Sequence, residues 1–414
     1  MLGRRILAWK GAFLLLAGAA AVVVAKAQEV TQEQKSEVLA AVSDILTQRA
    51  FVPSIEFAKW PTYLEKQRAM LDEAKDVRAF TNAVNRALRE FGASHIRLLT
   101  PRAAAARGRT TTVGIGVSVV REDDGLTVRS VSENGPAKEA GIEVGDKIVR
   151  VNQAPAEGPE LLEGEKGTKV ELQIKKPSGA LQVITVERKE YSTARTDTLT
   201  WPGPDTALIR VHTFSNGYNR TAIEKLFREV REREARALIL DLRSNGGGAT
   251  TNLSHLLSLL LPDGTAVGTF VSRRLAQRYG EATGKPPTNP AEIAAWSQNK
   301  LRTSKRSVEP FTGKIAVLVN RGSASASEIV AAALRECASA KLVGANTAGA
   351  VLASTFATLP HGFSLQYPIT DYVSIKGVRL EKAPLEPDAR VTDPVTKEKD
   401  PVVEKALEVL REGA

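Results

Sequence analysis

A chain of 414 residues with 43% apolar content can bury two or three cores, and 31 glycines with 20 prolines exclude a largely disordered or collagen-like polymer. The net charge of +10 is spread among interleaved acids with few aromatics. That is the pattern of a solvated surface, so no nucleic-acid partner is expected, while contact with an anionic membrane surface stays open and no oligomeric state is specified.

Residues 1–27 read as an export signal. Arg4, Arg5 and Lys10 flank an apolar run from Gly11 to Ala25, and Ala25-Lys26-Ala27 fits small-x-small cleavage. The run is shorter than the ~20 apolar residues that span a bilayer. An uncleaved anchor is the other reading. Either way the mature chain is expected outside the cytoplasm, periplasmic or secreted. Cys337 is the single cysteine, so no intrachain disulfide can form, and it reads as a small core residue.

Residues 28–101 read as helical. Val38, Val42, Ile45 and Leu46 form one apolar stripe, and Phe80, Val84, Leu88 and Phe91 form another. Gly92 is placed to end the second helix. Residues 102–112, rich in alanine, arginine and threonine, read as a linker.

In residues 113–190, Gly114-Ile115-Gly116-Val117 opens a strand, and Thr127 to Val131 is a second. Pro136 to Ile142 is a short helix, Gly145 to Asn152 a turn and a third strand, and two alternating strands follow. This order resembles a PDZ domain of the bacterial protease type. The resemblance implies that an extended peptide adds to a sheet edge, with its C-terminal carboxylate held by backbone amides of Gly114, Ile115, Gly116 and Val117. The plainer reading is a glycine turn in a small β domain.

Residues 191–400 alternate strand and helix, as parallel β crossovers require. Ala237 to Arg243 is a buried strand running into Ser244-Asn245-Gly246-Gly247-Gly248, and a helix follows from Thr251 to Leu261. Ile315 to Val319 is another buried strand, broken by Asn320-Arg321-Gly322, with helical spacing from Ala326 onward. A serine at that corner sits where a helix N-terminus favours developing negative charge, the setting for a nucleophile. Ser325-Ala326-Ser327-Glu328 equally fits a capping box, in which the serine does no chemistry. Residues 401–414 read as a C-terminal helix.

Gly322-Ser323-Ala324-Ser325-Ala326-Ser327-Glu328 resembles the active-site segment of the C-terminal processing (tail-specific) serine peptidases. The resemblance implies Ser325 as nucleophile and an oxyanion hole from the amides of Ala326 and of Gly246 or Gly247. It implies a mixed α/β fold: a helical N-terminal region, a PDZ-like β domain and an α/β crossover (ClpP/crotonase-like) catalytic core. One departure stands out. Family members of the Ser–Lys type carry lysine in a GxTxxGK segment, and the matching run here is Gly344-Ala345-Asn346-Thr347-Ala348-Gly349-Ala350. Ala350 cannot accept a proton.

A second branch, similar to the tricorn protease core and the interphotoreceptor retinoid-binding protein, uses Ser-His-Ser-Glu. Phe91-Gly92-Ala93-Ser94-His95 fits its base segment, and Glu381 with Pro387-Asp388 fits its late E-x5-PD segment. The resemblance thus implies His95 as base, oriented by Ser94 and Glu381. Taken singly, each of these has an ordinary reading as a capping histidine, a turn serine and a solvated acid. No zinc spacing, phosphate loop or dinucleotide motif is present, and no cofactor is expected. The expected function is an exported serine endopeptidase acting on polypeptides, with substrate C-termini recognised by the PDZ domain. The rival is an inactive peptide-binding scaffold that kept the fold, favoured by Ala350. A carrier of apolar ligands is a third reading.

Overall fold

The computed structural model describes residues 28–412 except 394, 397 and 398. The export signal expected at residues 1–27 lies outside the described residues. Among the described residues no helix is long and apolar enough to cross a membrane.

The centre of the molecule is a six-stranded sheet in the order Thr198–Gly203, Thr206–Arg210, Ala237–Asp241, Lys314–Val319, Lys341–Gly344 and Ala389–Arg390. The first pair is antiparallel and every later pair is parallel. Both faces are covered, which is why these strands read as continuous apolar runs. Alternate residues serve opposite faces. Leu238, Leu240 and Val317 join one core with helices Thr250–Leu257 and Ala326–Ala338. Ile239, Ala316, Leu318 and Val343 join another with the C-terminal helix Pro401–Glu412.

The consequence for function is topological. The parallel strands Thr206–Arg210, Ala237–Asp241, Lys314–Val319 and Lys341–Gly344 all point their C-terminal ends the same way. The loops that follow them gather at one rim, the usual place for a site in such a sheet.

The N-terminal helices supply the opposite wall. The expected stripes are buried: Val38, Val42 and Leu46 on helix Gln32–Gln48, and Phe80, Val84 and Leu88 on helix Val77–Arg89. They pack on Leu352, Phe363, Leu365 and Tyr367 from the hairpin Ala353–Thr358 and Ser364–Ser374. A short strand, Arg97–Leu99, then joins the edge of that second sheet, with Arg97 opposite Gln366. The helix ends at Arg89 and Gly92 follows at φ 64°, its N–H bonded to the Arg89 carbonyl at 2.9 Å.

Two local readings are corrected. The segment 102–112 is not all linker: Pro101–Ala106 is a helix, with proline in its first turn and the Thr100 hydroxyl accepting from Ala103 N–H. Its alanines are strong helix formers, and the Thr-Pro start is a helix-initiation signal. Gly114 to Val117 is also not one strand. Thr111–Gly114 pairs with Lys189–Ser192 as a separate ribbon, and Val117–Glu122 begins the PDZ-like sheet after a break at Ile115 and Gly116.

Candidate active site

Three serines alternate along Ser323-Ala324-Ser325-Ala326-Ser327, and the fold commits two of them. Ser323 Oγ donates to the Leu242 carbonyl and Ser327 Oγ to the Asn245 carbonyl, both at 2.8 Å and both fully buried. These bonds tie the start of helix Ala326–Ala338 to the loop after strand Ala237–Asp241. Ser325 is the serine left facing the cleft. Its backbone stands at φ 57°, ψ −117°, which an L-residue adopts only under strain, and such strain clusters at working sites.

Ser325 is in capping-box register with Glu328, and the glutamate half is made: Glu328 Oε2 accepts from Ser325 N–H at 3.1 Å. Glu328 N–H in turn donates to the Ser325 carbonyl at 2.9 Å. Glu328 is fully buried and has a larger task. It also accepts from the Thr347 hydroxyl at 2.5 Å, Gly349 N–H at 2.7 Å and Ala350 N–H at 3.0 Å. The serine turn and the 347–350 loop are therefore bolted together through one carboxylate. Ala350 closes the link by accepting from Ser325 N–H at 2.9 Å.

The glycine run sits against this corner. A Cβ on Gly247 would lie 2.7 Å from Ser325 Cβ and 2.9 Å from the Ala326 amide nitrogen, so only glycine fits. Buried Asn245 holds the run, accepting from Gly247 N–H at 3.0 Å and donating to the Val211 carbonyl at 2.9 Å. Of the two glycine amides expected at the oxyanion position, that of Gly247 is thus already engaged. The amides of Gly246 and Ala326 enter no hydrogen bond among the described residues, and both residues line the cleft.

Across the cleft lie Ser94, His95 and Glu381, brought together from opposite ends of the sequence. Glu381, 4% exposed, accepts from Ser94 N–H and Ser94 Oγ at 2.8 Å each and from Val351 N–H at 2.9 Å. Ser94 Oγ lies 2.8 Å from His95 Nδ1. The carboxylate can only accept, so the single hydroxyl proton goes to Glu381, and Nδ1 must be the ring nitrogen that carries hydrogen. Nε2 is then the free acceptor, as a general base requires. Burial lowers the His95 pKa below its ordinary 6.5; Glu381 opposes this and Arg97 adds to it.

His95, Gly246, Gly247, Ser325, Ala326 and Ala350 all line one cleft of about 850 Å³. No lysine is among its lining residues. Another hollow of about 770 Å³, beside Glu309 and Phe311, contains none of the motif residues. Arg97 and Arg107 also line the cleft, and no sequence cue marks them, because each is a single exposed arginine without a motif. Asn245 and Glu328 were visible only as parts of local motifs. No group of three or more metal-ligating side chains occurs among the described residues.

Gly114 to Val117 do not line this cleft; they lie at the start of the PDZ-like sheet. Ile115 is buried in that module's core. Gly116, at φ 86°, packs against Gly135, where an added Cβ would lie 2.9 Å from its Cα.

Comparison with known proteins agrees with both modules. Residues 205–391 match the model of peptidase family S41, and residues 113–187 match that of the PDZ domain. A tail-specific protease of Haemophilus influenzae is 29% identical over 275 residues, covering 62% of this chain but 36% of that protein. A carboxyl-terminal-processing protease of Synechocystis is 27% identical over 430 aligned positions, covering 98% of this chain and 93% of that one. Among solved structures, a photosystem II D1 C-terminal processing protease superposes with a TM-score of 0.52 at 21% identity, over 92% of this chain and 98% of that one. With the sheet, the serine corner and the second module all in agreement, the chain carries a peptidase family S41 domain over residues 205–391 and a PDZ domain over residues 113–187.

Proposed function

We propose that this protein is an exported serine endopeptidase that cleaves polypeptides, with Ser325 as nucleophile and His95 as its base. The observation that carries the reading is the hydrogen-bonded chain from Glu381 through Ser94 to His95 Nδ1, which frees Nε2 on the wall of the cleft that Ser325 shares. His95 takes the Ser325 proton as Oγ attacks the scissile carbonyl, then returns it to the leaving amine. The amides of Ala326 and Gly246 stabilise the oxyanion at the N-terminus of helix Ala326–Ala338. Water repeats the sequence to release the acyl group. A base with this support removes the main argument for an inactive scaffold, which was the alanine at position 350. Export by residues 1–27 places the mature chain outside the cytoplasm, and its positive charge suits an anionic membrane surface.

Labelling with a fluorophosphonate probe and mapping the modified peptide tests the assignment. The label is expected on Ser325, and Ser325→Ala should lose both labelling and hydrolysis of an unfolded protein substrate while staying folded. Cleavage by the variant at the original rate would reject Ser325 as nucleophile.

A further inference from the structure

We propose that the catalytic cleft selects polypeptide segments with acidic side chains beside the scissile bond. The inference rests on the peptidase reading above and names its substrate class. Four arginines carry it.

Arg97 and Arg107 line the cleft that holds Ser325 and His95. Thr250, Thr251, Phe270 and Ala353 line both this cleft and a second hollow of about 600 Å³, so the two are continuous. Arg220 and Arg306 line the second. No aspartate or glutamate lines either one.

Each guanidinium is held by a neutral partner. Arg97 Nε donates to Gln366 Oε1 at 3.0 Å, and Arg107 lies over the Phe356 ring at 4.0 Å. Arg220 donates twice to Asn252 Oδ1, at 3.1 and 3.0 Å. Arg306 donates to Ser304 Oγ at 3.3 Å, and its Nε is buried without a partner. None of the four is in an ion pair among the described residues. Elsewhere on the molecule arginines commonly pair, as Arg68 does with Glu65, Arg228 with Glu224 and Arg335 with Asp388.

The physical consequence follows from shape and charge together. Like charges gathered in a concave site focus the field and raise the local concentration of oppositely charged substrate. Guanidinium groups positioned by neutral contacts keep donors available for a carboxylate, with geometry suited to bidentate pairing. A basic substrate segment would meet repulsion with no acid lining either hollow, which is how a site rejects the wrong partner.

A carboxylate can come from an acidic side chain or from the substrate's own C-terminus, and the test separates them. The full chain carrying Ser325→Ala is titrated with fluorescent peptides of one length, flanked at the centre by Glu or by Gln, each with a free or an amidated C-terminus. The amidated Glu peptide is expected to bind about tenfold or more tighter than the amidated Gln peptide, a gap that narrows with salt. Adding Arg107→Gln or Arg220→Gln should shrink the gap several-fold while changing Gln-peptide binding little.

Equal binding of the two amidated peptides would overturn the proposal. So would discrimination that follows only the free terminus, or a gap that both arginine variants leave intact. Binding is read without turnover. Failure of the unmodified protein to hydrolyse any peptide would therefore reject the peptidase reading while leaving acid selection to be judged on its own data.

Discussion

Ser94 has one hydroxyl proton and two polar neighbours, and the way it divides itself sets the chemistry of His95. Because the proton goes to Glu381, the ring of His95, which lines the cleft, is left with its lone pair on Nε2. His95→Ala should therefore cost at least ~100-fold in kcat, the range for losing a general base. Ala350→Lys should not restore that variant, since a lysine base also needs a pocket shaped to hold its amine neutral and aimed at Ser325. The pH profile gives a second readout. The base must be neutral, and burial lowers its pKa, so the neutral form persists to lower pH and the acid limb of kcat/KM should fall below 6.5. Glu381 opposes that shift, so Glu381→Gln should move the limb lower still while kcat drops. A limb at or above 6.5, or a profile that His95→Ala leaves unchanged, would contradict the assignment.

At the scale of elements, what holds the serine corner is a set of long-range bonds between loops. Glu328 takes four donors: Ser325 N–H, the Thr347 hydroxyl, Gly349 N–H and Ala350 N–H. Leaving a buried donor unpaired costs ~1–3 kcal/mol. Glu328→Ala should thus lower unfolding stability by on the order of 3–5 kcal/mol in a urea titration and lose activity with it. A loss below ~1 kcal/mol would mean the loops are held another way. The same corner shows what a sequence reading reaches. Strand periodicity located Ala237–Asp241 and Lys314–Val319, because both are buried on two faces and carry little but apolar residues. The capping register found Glu328 but only its local bond, since the other three partners lie on a loop that tertiary packing brings in. His95 and Glu381 were reachable only through family spacing; as single residues they have no periodic signal. Arg97 and Arg107 were not reachable at all, because a cleft wall exists only after folding. The helix Pro101–Ala106 is signalled by its Thr-Pro start and alanine run, a signal the flanking arginines and threonines obscure.

At the scale of the whole molecule, the PDZ domain joins the catalytic core through a two-stranded ribbon. The ribbon of Thr111–Gly114 with Lys189–Ser192 carries the PDZ domain, which also meets the rest of the chain through Arg102 with Glu163 at 2.6 Å, both exposed. Exposed pairs of this kind contribute little to holding a domain in place. Within the domain, Val117–Glu122 is an edge strand, paired among the described residues with Gly125–Val131 alone. The loop before it turns its carbonyls inward, Ile115 to Ala137 N–H at 2.7 Å and Gly116 to Ser132 N–H at 2.8 Å. The amides of Ile115 and Gly116 enter no hydrogen bond among the described residues, which suits them to receive a terminal carboxylate. Hydrogen bonds to a charged group contribute about 1.5–3 kcal/mol, roughly tenfold or more in affinity. A peptide with neutral flanks and a free C-terminus should therefore bind the Ser325→Ala chain at least about tenfold tighter than its amidated form, measured by fluorescence anisotropy. The gap should persist when Arg107→Gln and Arg220→Gln are added, which separates the loop from the arginines of the catalytic cleft. Equal affinity of the two forms would show that the loop from Gly114 to Val117 does not hold chain ends.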